Sequence, residues 1–265
     1  MEPMRPISEN TGIVLSGGGV RGMAHIGVLK ALKEHGIEPN WISGTSVGAL
    51  VGALYSRGAS EAEMLSFFKE TPLFRYDFLS IRKPGLLDTE RYYDVFEAHW
   101  PDNRFEALAR PLFVTATNLQ RGQERTFWEG ELIRPLLASA ALPPIFSPVL
   151  IEGELYSDGG IMNNFPLEPL ESRAAFVIGS NVSPVKEVSQ KDIRSSIQLA
   201  NRTTGLMIYA INREKVQRCP LVFEPRELEK IWVLDKKGIE NAYRIGYECA
   251  SRETEAFLSG RYTSS

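Results

Sequence analysis

The chain has 265 residues, of which 43% are hydrophobic and 24% are charged, and its formal net charge is −3. This composition is typical of a soluble globular protein, and the near-neutral charge gives no electrostatic reason to expect sequence-independent binding to nucleic acid. With two cysteines and three histidines, the chain can form neither a disulfide framework nor a multi-cysteine zinc site. The N-terminus lacks a secretory pattern, and no stretch approaches the ~20 apolar residues of a membrane span. We therefore expect a cytoplasmic protein.

The first part of the sequence alternates short apolar strands with helices. Strands are predicted at residues 13–15 and 41–42, and each leads through a glycine-containing turn into a helix, over 23–35 and 47–55 respectively. The first of these helices is indicated by apolar residues that recur at helical spacing. The alternation predicts parallel strands joined by right-handed crossovers.

The rest of the sequence continues in the same manner, without an internal repeat or a linker. The stretch 60–110 is predicted to be helical and rich in aromatic residues. Further strands are predicted at 112–117, 125–128, 153–157, 175–179 and 221–223, and further helices at 132–141, 192–216 and 237–258. The apolar residues of the helix at 192–216 are predicted to pack on the sheet, with a dimer contact as the alternative.

A glycine-rich turn, residues 17–22 (GGGVRG), joins the first strand to the first helix. It matches G-x-G-x-x-G, so a nucleotide-binding oxidoreductase is one alternative. Backbone amides at a helix N-terminus also suit the oxyanion of an acyl-transfer reaction. A dinucleotide site calls for an acidic residue after the second strand, where this chain has Ser43-Gly44-Thr45-Ser46. The oxidoreductase is therefore disfavoured, and a plain tight turn stays open.

A second turn, residues 44–48 (GTSVG), matches G-x-S-x-G between a strand and a helix. In that context the pattern is typical of a nucleophile elbow, in which a sharp turn projects the hydroxyl group of a serine, here Ser46. The flanking glycines keep the approach to that hydroxyl open. A serine that only caps the helix is the structural alternative.

A third motif, Asp158-Gly159-Gly160, follows a predicted strand and would by itself indicate a turn. A serine nucleophile needs a base, which is usually histidine. The α/β-hydrolases place that histidine after the acid, but no histidine follows His99 in this chain. The sequence therefore predicts a carboxylate base or no serine chemistry.

These three motifs, in this order, resemble the patatin-like phospholipase family, as does the segment 138–148 (ASAALPPIFSP). The resemblance extends over about residues 13–182. It implies an α/β fold, a three-layer α/β/α sandwich with a mostly parallel central sheet and a helical C-terminal tail. A catalytic domain is expected over residues 11–182, with residues 183–265 as a C-terminal segment packed on the same domain.

The resemblance also implies a serine acyl hydrolase that cleaves acyl esters of (phospho)lipids through an acyl-enzyme. Ser46 would be the nucleophile, and Asp158 would accept its proton and return it to the leaving alkoxide. The other expected site residues are the oxyanion hole (Gly17, Gly18, Gly19, Arg21, Gly22), the nucleophile elbow (Gly44, Thr45, Val47, Gly48) and the acid motif (Gly159, Gly160). No cofactor and no metal is expected. A catalytically weak lipid-binding or regulatory protein on the same fold is the alternative.

Three further expectations concern the surroundings of this site. An aspartate near its reference pKa of ~3.9 is a weak base, so Asp158 is expected to be enclosed and its pKa raised by burial. The segment 72–83 combines aromatic and basic residues, which suit a lid or a membrane-facing surface, or else a core beneath a loop. The expected partner is a lipid acyl ester, with transient, peripheral membrane contact and no nucleic acid. The oligomeric state is left open.

Overall fold

The computed structural model describes residues 10–71, 78–80, 83–185 and 187–261. Within them, one eight-stranded sheet is flanked by helices. The strands are β1 (Thr11–Leu15), β2 (Trp41–Thr45), β3 (Leu112–Asn118), β4 (Gln123–Phe127), β5 (Val149–Ile151), β6 (Glu154–Asp158), β7 (Phe176–Ser180) and β8 (Leu221–Phe223). The helices are α1 (Met23–Glu34), α2 (Val47–Ser56), α3 (Glu61–Glu70), α4 (Tyr93–Glu97), α5 (Ile133–Ser139), α6 (Glu168–Glu171), α7 (Ser196–Gln217) and α8 (Ile239–Leu258).

The sheet is parallel at one end and antiparallel at the other. Strands β3, β2, β1, β7 and β8 lie side by side in that order and run parallel. Strands β4 and β6 pair antiparallel with β3, and β5 pairs antiparallel with β6. The predicted α/β/α sandwich with a mostly parallel sheet is confirmed.

Both faces of the parallel strands are covered. On β1, Ile13 and Leu15 enter the larger core, which also contains side chains of α1, α2 and α8. Val14 enters a smaller core on the opposite face, together with Leu170 of α6 and Val216 of α7. Because successive side chains of a strand point to opposite faces, a strand covered on both sides reads as a continuous apolar run.

Strands β2 and β6 meet end to end along one edge of β3. The last residue of β2, Thr45, is paired with Thr115, and the last residue of β6, Asp158, is paired with the next residue, Ala116. Strand β4 pairs with these same two residues of β3 and so occupies the opposite edge. Because β2 and β6 run in opposite directions, their C-terminal ends face each other, and the residues that follow them are brought together.

The second strand is longer than the sequence predicted, because it continues through Ser43, Gly44 and Thr45. Its two hydroxyl side chains are fully buried. The Ser43 hydroxyl donates to the Pro166 carbonyl at 2.7 Å, and the Thr45 hydroxyl donates to the Asn163 carbonyl at 2.9 Å. These tertiary partners offset the desolvation of the hydroxyl groups, which the local pattern did not reveal.

Two other expectations need correction. The stretch 60–110 is only partly helical in its described residues, where α3 and α4 are accompanied by short 3-10 helices at Thr89–Tyr92 and Phe105–Ala107, and β5 was not predicted at all. The helix predicted over 192–216 exists as α7, but it does not pack its apolar residues on the sheet. Only its C-terminal part reaches a core, through Asn212 and Val216, and several large apolar side chains face outward.

The C-terminal part of the chain contributes to the same sheet and core. Strand β8 extends the parallel sheet beside β7, and α8 packs along α1. The domain division at residue 182 stays a prediction. Among the described residues, none of the helices has both the length and the apolar character that crossing a membrane would require.

Candidate active site

Ser46 lies on a strained turn between β2 and α2. Its backbone has φ 54° and ψ −126°, a region that non-glycine residues rarely adopt. The turn is tight because glycines allow close backbone contacts: a Cβ at Gly48 would lie 2.1 Å from the Leu15 carbonyl oxygen, and a Cβ at Gly44 would lie 2.6 Å from the backbone of Gly48. This geometry is that of the predicted elbow, with Ser46 at its tip and only partly buried.

The side chains of Ser46 and Asp158 are in direct contact. The Ser46 hydroxyl donates to Oδ2 of Asp158 at 2.7 Å. The other carboxylate oxygen, Oδ1, accepts the Gly160 amide at 2.7 Å, and the Thr117 hydroxyl donates to the Asp158 carbonyl at 2.9 Å. The carboxylate is therefore held in one orientation, with one oxygen directed at the serine.

The Asp158 carboxyl is almost completely buried, with 4% of the residue exposed. Burial raises its pKa to about 6, against the opposing effect of the hydrogen bonds from Ser46 and Gly160. Desolvation disfavours the charged form of a carboxyl group. Asp158 is therefore a stronger base than an exposed aspartate, and it is still largely ionised at neutral pH.

Ser139, at the end of α5, supports the elbow and was not identified as a site residue from the sequence. Its hydroxyl is fully buried, accepts the Ser46 amide at 2.8 Å and donates to the Thr115 carbonyl at 2.6 Å. The Ser46 backbone is thus tied to β3. Ser139 lies in the segment 138–148 that resembles the family, and this resemblance could have identified Ser139 as a site residue from the sequence.

The glycine turn is held by bonds to its first peptide group. The Gly17 amide donates to the Asn164 carbonyl at 3.1 Å, which corrects the expectation that this amide is a donor for an oxyanion. The Gly17 carbonyl accepts the Ser183 hydroxyl at 2.7 Å and the Asn164 side-chain amide at 3.3 Å. A trans peptide points its N–H opposite to its C=O, so the Gly18 amide points away from these buried donors.

The second half of the glycine turn is covered by the C-terminal segment. The Val20 amide donates to the Val233 carbonyl at 2.8 Å. The same carbonyl oxygen lies 2.2 Å from the position of a Cβ on Gly19, whose φ is +58°. Because the Val233 carbonyl takes the Val20 amide, this loop offers less to a pyrophosphate than a dinucleotide-binding loop does.

Arg21 and Gly22 have structural contacts. The Arg21 guanidinium donates to the carbonyls of Ile231 at 2.8 Å and Glu229 at 3.3 Å. A Cβ at Gly22 would lie 2.4 Å from the side chain of Val47, so the turn packs directly against the elbow. Arg21 therefore attaches the C-terminal segment, and Gly22 sets the distance between the two motifs.

Asn164 joins the glycine turn to the acid motif, and sequence reasoning missed it. Its Oδ1 lies 2.3 Å from the position of a Cβ on Gly17 and 2.7 Å from that of a Cβ on Gly160. A Cβ at Gly17 would also lie 3.3 Å from the Ser46 Cβ. Glycine is thus required at both positions, because the three motifs converge on a small volume around Ser46.

The hydrogen bonds of His25 and His35 are to residues other than Ser46 and Asp158. His25 is completely buried in α1 and contacts the Ser180 hydroxyl at 2.7 Å and the Ser16 carbonyl at 2.9 Å. Burial lowers its pKa to about 4, so it is neutral at physiological pH. Within the described residues, no group of three or more histidine, cysteine or acidic side chains could hold a metal ion.

The expected lid segment is described only in part, because residues 72–77, 81 and 82 lie outside the described residues. Phe78 is buried and packs edge-on against Tyr92, with ring centroids 4.6 Å apart. Lys83 is 2.8 Å from Asp88. At these positions the contacts match the alternative of a core beneath a loop. A lid or membrane-facing surface over 72–83 stays a prediction.

Comparison with known proteins defines the class to which this fold and these motifs belong. The model of the patatin-like phospholipase family matches residues 13–171, more than half of the chain. The chain therefore belongs to the patatin-like phospholipase family, and the resemblance inferred from its motifs is confirmed.

Individual relatives share about a third of their aligned residues with this chain. The chain is 31% identical over 188 residues to the "Uncharacterized NTE family protein Rv1063c" of Mycobacterium tuberculosis, covering 68% of this chain and 52% of that protein. It is 31% identical over 208 residues to "Lysophospholipase NTE1" of Cryptococcus neoformans, covering 73% of this chain and 12% of that protein. The chain thus spans about half the length of the mycobacterial relative.

Among solved structures, VipD from Legionella pneumophila aligns with 96% of this chain and 67% of its own, with a TM-score of 0.63 and 14% sequence identity. At this identity the likeness concerns the fold alone. It agrees with the α/β sandwich described above.

Proposed function

We propose that this protein hydrolyses acyl esters of lipids, with Ser46 as the nucleophile and Asp158 as the base. One observation carries the proposal: a serine hydroxyl on a strained elbow donates to a buried carboxylate at 2.7 Å. Membership of the patatin-like phospholipase family supports lipid hydrolysis in general terms. The pairing of these two side chains supports the assignment of the nucleophile and the base.

Acylation of Ser46 is the proposed first step. Oγ attacks the ester carbonyl carbon while its proton moves to Oδ2 of Asp158, and the carbonyl oxygen becomes an oxyanion. When the tetrahedral intermediate collapses, the bond to the leaving oxygen breaks and Asp158 returns the proton to that oxygen. An alcohol leaves, and the acyl group remains on Ser46.

Deacylation is the mirror of this step. A water molecule attacks the acyl carbon and transfers a proton to Asp158, and the bond from Oγ to the acyl carbon then breaks. Asp158 gives the proton back to Oγ, so the free enzyme is regenerated and a fatty acid is released. One carboxyl group with a pKa near 6 can serve in both directions, because it is both ionised and protonatable close to neutral pH.

The oxyanion is proposed to bind to the amides of Gly18 and Gly19. The peptide group before Gly18 is held by Asn164 and Ser183 so that its N–H points away from the buried side. The positive end of α2, which begins at Val47, adds a favourable field at the same place. Such preorganised donors stabilise charge in the transition state without further rearrangement.

The proposed substrate class is phospholipids and lysophospholipids. A fungal relative carries the name lysophospholipase, and the residues that directly follow the acid motif, Ile161 and Met162, are exposed and apolar. Exposed apolar side chains beside a site suit a substrate with an acyl chain.

A fluorophosphonate probe tests the proposal, because it reacts with activated serines. The wild type is expected to be labelled at Ser46, Ser46→Ala to be unlabelled, and Asp158→Ala to be labelled far more slowly. Ser157→Ala is the matched control, since this buried serine precedes the acid and donates only to the Ala141 carbonyl at 2.7 Å. Unchanged labelling of Ser46→Ala would contradict the proposal.

Turnover is measured as release of fatty acid from lysophosphatidylcholine. Loss of the nucleophile is expected to lower the rate on the order of 10³-fold or more. Labelling of Ser46 without any release of fatty acid, together with stoichiometric lipid binding, would instead favour the catalytically weak lipid-binding alternative.

A further inference from the structure

Helix α7 turns an uncharged face outward. Between Leu199 and Ile211, the exposed positions of the helix carry no charge. They are Leu199, Ala200, Thr203, Thr204, Leu206, Met207, Tyr209, Ala210 and Ile211. Met207 is 67% exposed and Leu199 is 51% exposed. A surface helix of a globular protein normally shows the opposite arrangement, with its apolar stripe toward the core.

The helix is connected to two segments that contact the motifs of the candidate active site. Arg202 pairs with the Glu229 carboxylate at 3.8 Å, and the Glu229 carbonyl accepts Arg21 of the glycine turn. Ten residues further along α7, the Asn212 side chain accepts the Phe165 amide at 3.1 Å. Phe165 directly follows Asn164, which lies against Gly17 of the glycine turn and Gly160 of the acid motif.

Other exposed apolar residues belong to the segments to which α7 is attached. Ile161 and Met162 precede the attachment at Phe165, and Trp232 follows the attachment at Glu229 and is 50% exposed. Trp232 is three residues along the chain from Glu229, the partner of Arg202 on α7, so it lies close to this helix. A tryptophan at the edge of an apolar surface is typical of the boundary between lipid and water.

Basic residues outnumber acidic ones at the two ends of this face, which favours anionic lipid. Lys191, Asp192 and Arg194 precede the helix, and the exposed Arg213 lies beside the face near its C-terminal end. The face ends at the acidic Glu214, one turn after the last apolar position. An uncharged face with basic residues at its borders is typical of helices that lie in the plane of a membrane interface.

A second copy of this chain is a weaker candidate for the occupant. A stable protein–protein interface engages about 20–30 residues on each side, whereas this face has nine, four of them alanine or threonine. A lipid surface needs no such area, because each apolar side chain gains free energy separately on entering the acyl region.

We propose that the outward face of α7, with Trp232 at its border, inserts into the interface of an anionic phospholipid membrane and places the Ser46 site next to its substrate. This inference rests on the proposed function for its purpose. Membrane binding is measured without catalysis, so a failure of the membrane inference can be distinguished from a failure of the proposed hydrolase function.

The test is co-sedimentation of the Ser46→Ala chain with vesicles of phosphatidylcholine and phosphatidylglycerol. The further double variant Leu206→Ser/Met207→Ser is expected to bind at least about tenfold more weakly, because two apolar side chains no longer enter the bilayer. The matched control is Leu119→Ser/Leu150→Ser, two exposed leucines in the β3–β6 region, and it is expected to bind like the parent. Vesicles of phosphatidylcholine alone are expected to bind more weakly.

Three results would overturn the inference. They are equal binding of the α7 variant and its parent, equal weakening by the control pair, and a parent chain that is dimeric in size-exclusion chromatography and becomes monomeric in the α7 variant. The last result would show that the face joins two copies of this chain. Thermal unfolding of each variant establishes that a loss of binding is not a loss of fold.

Discussion

At the scale of single residues, burial decides the chemistry that Asp158 can perform. A carboxylate in water is too weakly basic to accept a proton from serine readily, and the sequence contains no histidine in a position to replace it. Enclosure raises the pKa of Asp158 to about 6, which makes the transfer less unfavourable. His25, the histidine nearest the glycine turn in the sequence, is neutral because its own burial lowers its pKa to about 4.

The pH dependence of ester hydrolysis follows from this assignment. We expect kcat/KM for a soluble short-chain ester to rise with pH through an apparent pKa of about 6 and then to level off, because Asp158 must be ionised to accept the proton. The apparent pKa should change little when the pH profile is repeated at a higher temperature, since the ionisation of a carboxyl group has a small enthalpy. A pKa that falls markedly on heating would indicate an imidazole and contradict the assignment.

Ser139 offers a second prediction at this scale. Replacing it by alanine removes the acceptor of the Ser46 amide and the donor to the Thr115 carbonyl. We expect Ser139→Ala to slow fluorophosphonate labelling of Ser46 by about tenfold, because a buried hydrogen bond contributes about 1 kcal/mol and holds the elbow in place. The apparent pKa of the pH profile should stay near that of the wild type, since Asp158 is untouched.

The control for this prediction is again Ser157→Ala, which removes an equally buried hydroxyl that bonds to a carbonyl but does not contact Ser46. If both variants slow labelling to the same extent, the effect comes from general loosening of the fold, and Ser139 has no positioning role.

At the scale of secondary-structure elements, glycines determine how closely helices approach. Helices α1 and α8 cross at two glycines: a Cβ at Gly27 would lie 2.2 Å from the Tyr243 carbonyl oxygen, and a Cβ at Gly246 would lie 2.1 Å from the Ala24 carbonyl oxygen. Gly205 of α7, in contrast, has nothing within 4 Å of the position of its Cβ. The same residue type therefore serves a close contact in one helix and none in the other.

Replacement by alanine should have opposite effects on stability at Gly246 and at Gly205. Gly246→Ala is expected to lower the free energy of unfolding by about 2 kcal/mol or more, because α8 must move away from α1. Gly205→Ala is expected to raise the stability of α7 by about 0.5–1 kcal/mol, because alanine favours the helix and meets no neighbour. Urea unfolding measures the first change and amide hydrogen exchange in α7 the second. Equal effects at the two sites would contradict the packing described for α8.

At the scale of the whole molecule, the site lowers the stability of the fold. A carboxyl group whose pKa is raised in the folded state stabilises the protein below its unfolded pKa, and that contribution is lost as the pH rises through the folded pKa. For Asp158 this window runs from about 4 to about 6. Above it, the ionised and desolvated group costs free energy that the rest of the core must offset.

Asp158→Asn removes this charge and should stabilise the protein at pH 8. With a shift of roughly two pKa units at about 1.4 kcal/mol each, the gain is expected to be at most about 3 kcal/mol. It should shrink toward pH 4, where the wild-type carboxyl is also neutral in the folded state. Urea unfolding at the two pH values measures the difference, and Asp102→Asn, at an exposed position, is the control. A gain that does not depend on pH would contradict the raised pKa.

The amino-acid sequence alone determined the local features of this protein. The strands that begin near residues 13 and 112, helices α1 and α2, and the two glycine turns follow from apolar periodicity and from backbone conformations that glycine allows. These are properties of a few neighbouring residues. For the same reason, the motifs by themselves were sufficient to indicate the family.

Only the tertiary structure decided which residues meet. Ser46 and Asp158 are far apart in the sequence, and they are in contact because β2 and β6 share one edge of β3 and end there face to face. The contacts of Ser139 and Asn164 with the site were likewise found only in the tertiary structure. The Gly17 amide, which was expected to line the oxyanion hole, donates to the Asn164 carbonyl instead. The apolar residues of α7 were expected to pack on the sheet, but several of them are exposed. Pairing and burial depend on partners that are distant in the chain. The pairing of Ser46 with Asp158 was expected only from the resemblance to the family, and the enclosure of Asp158 only from the need for a stronger base, because local apolar patterns do not report on distant partners.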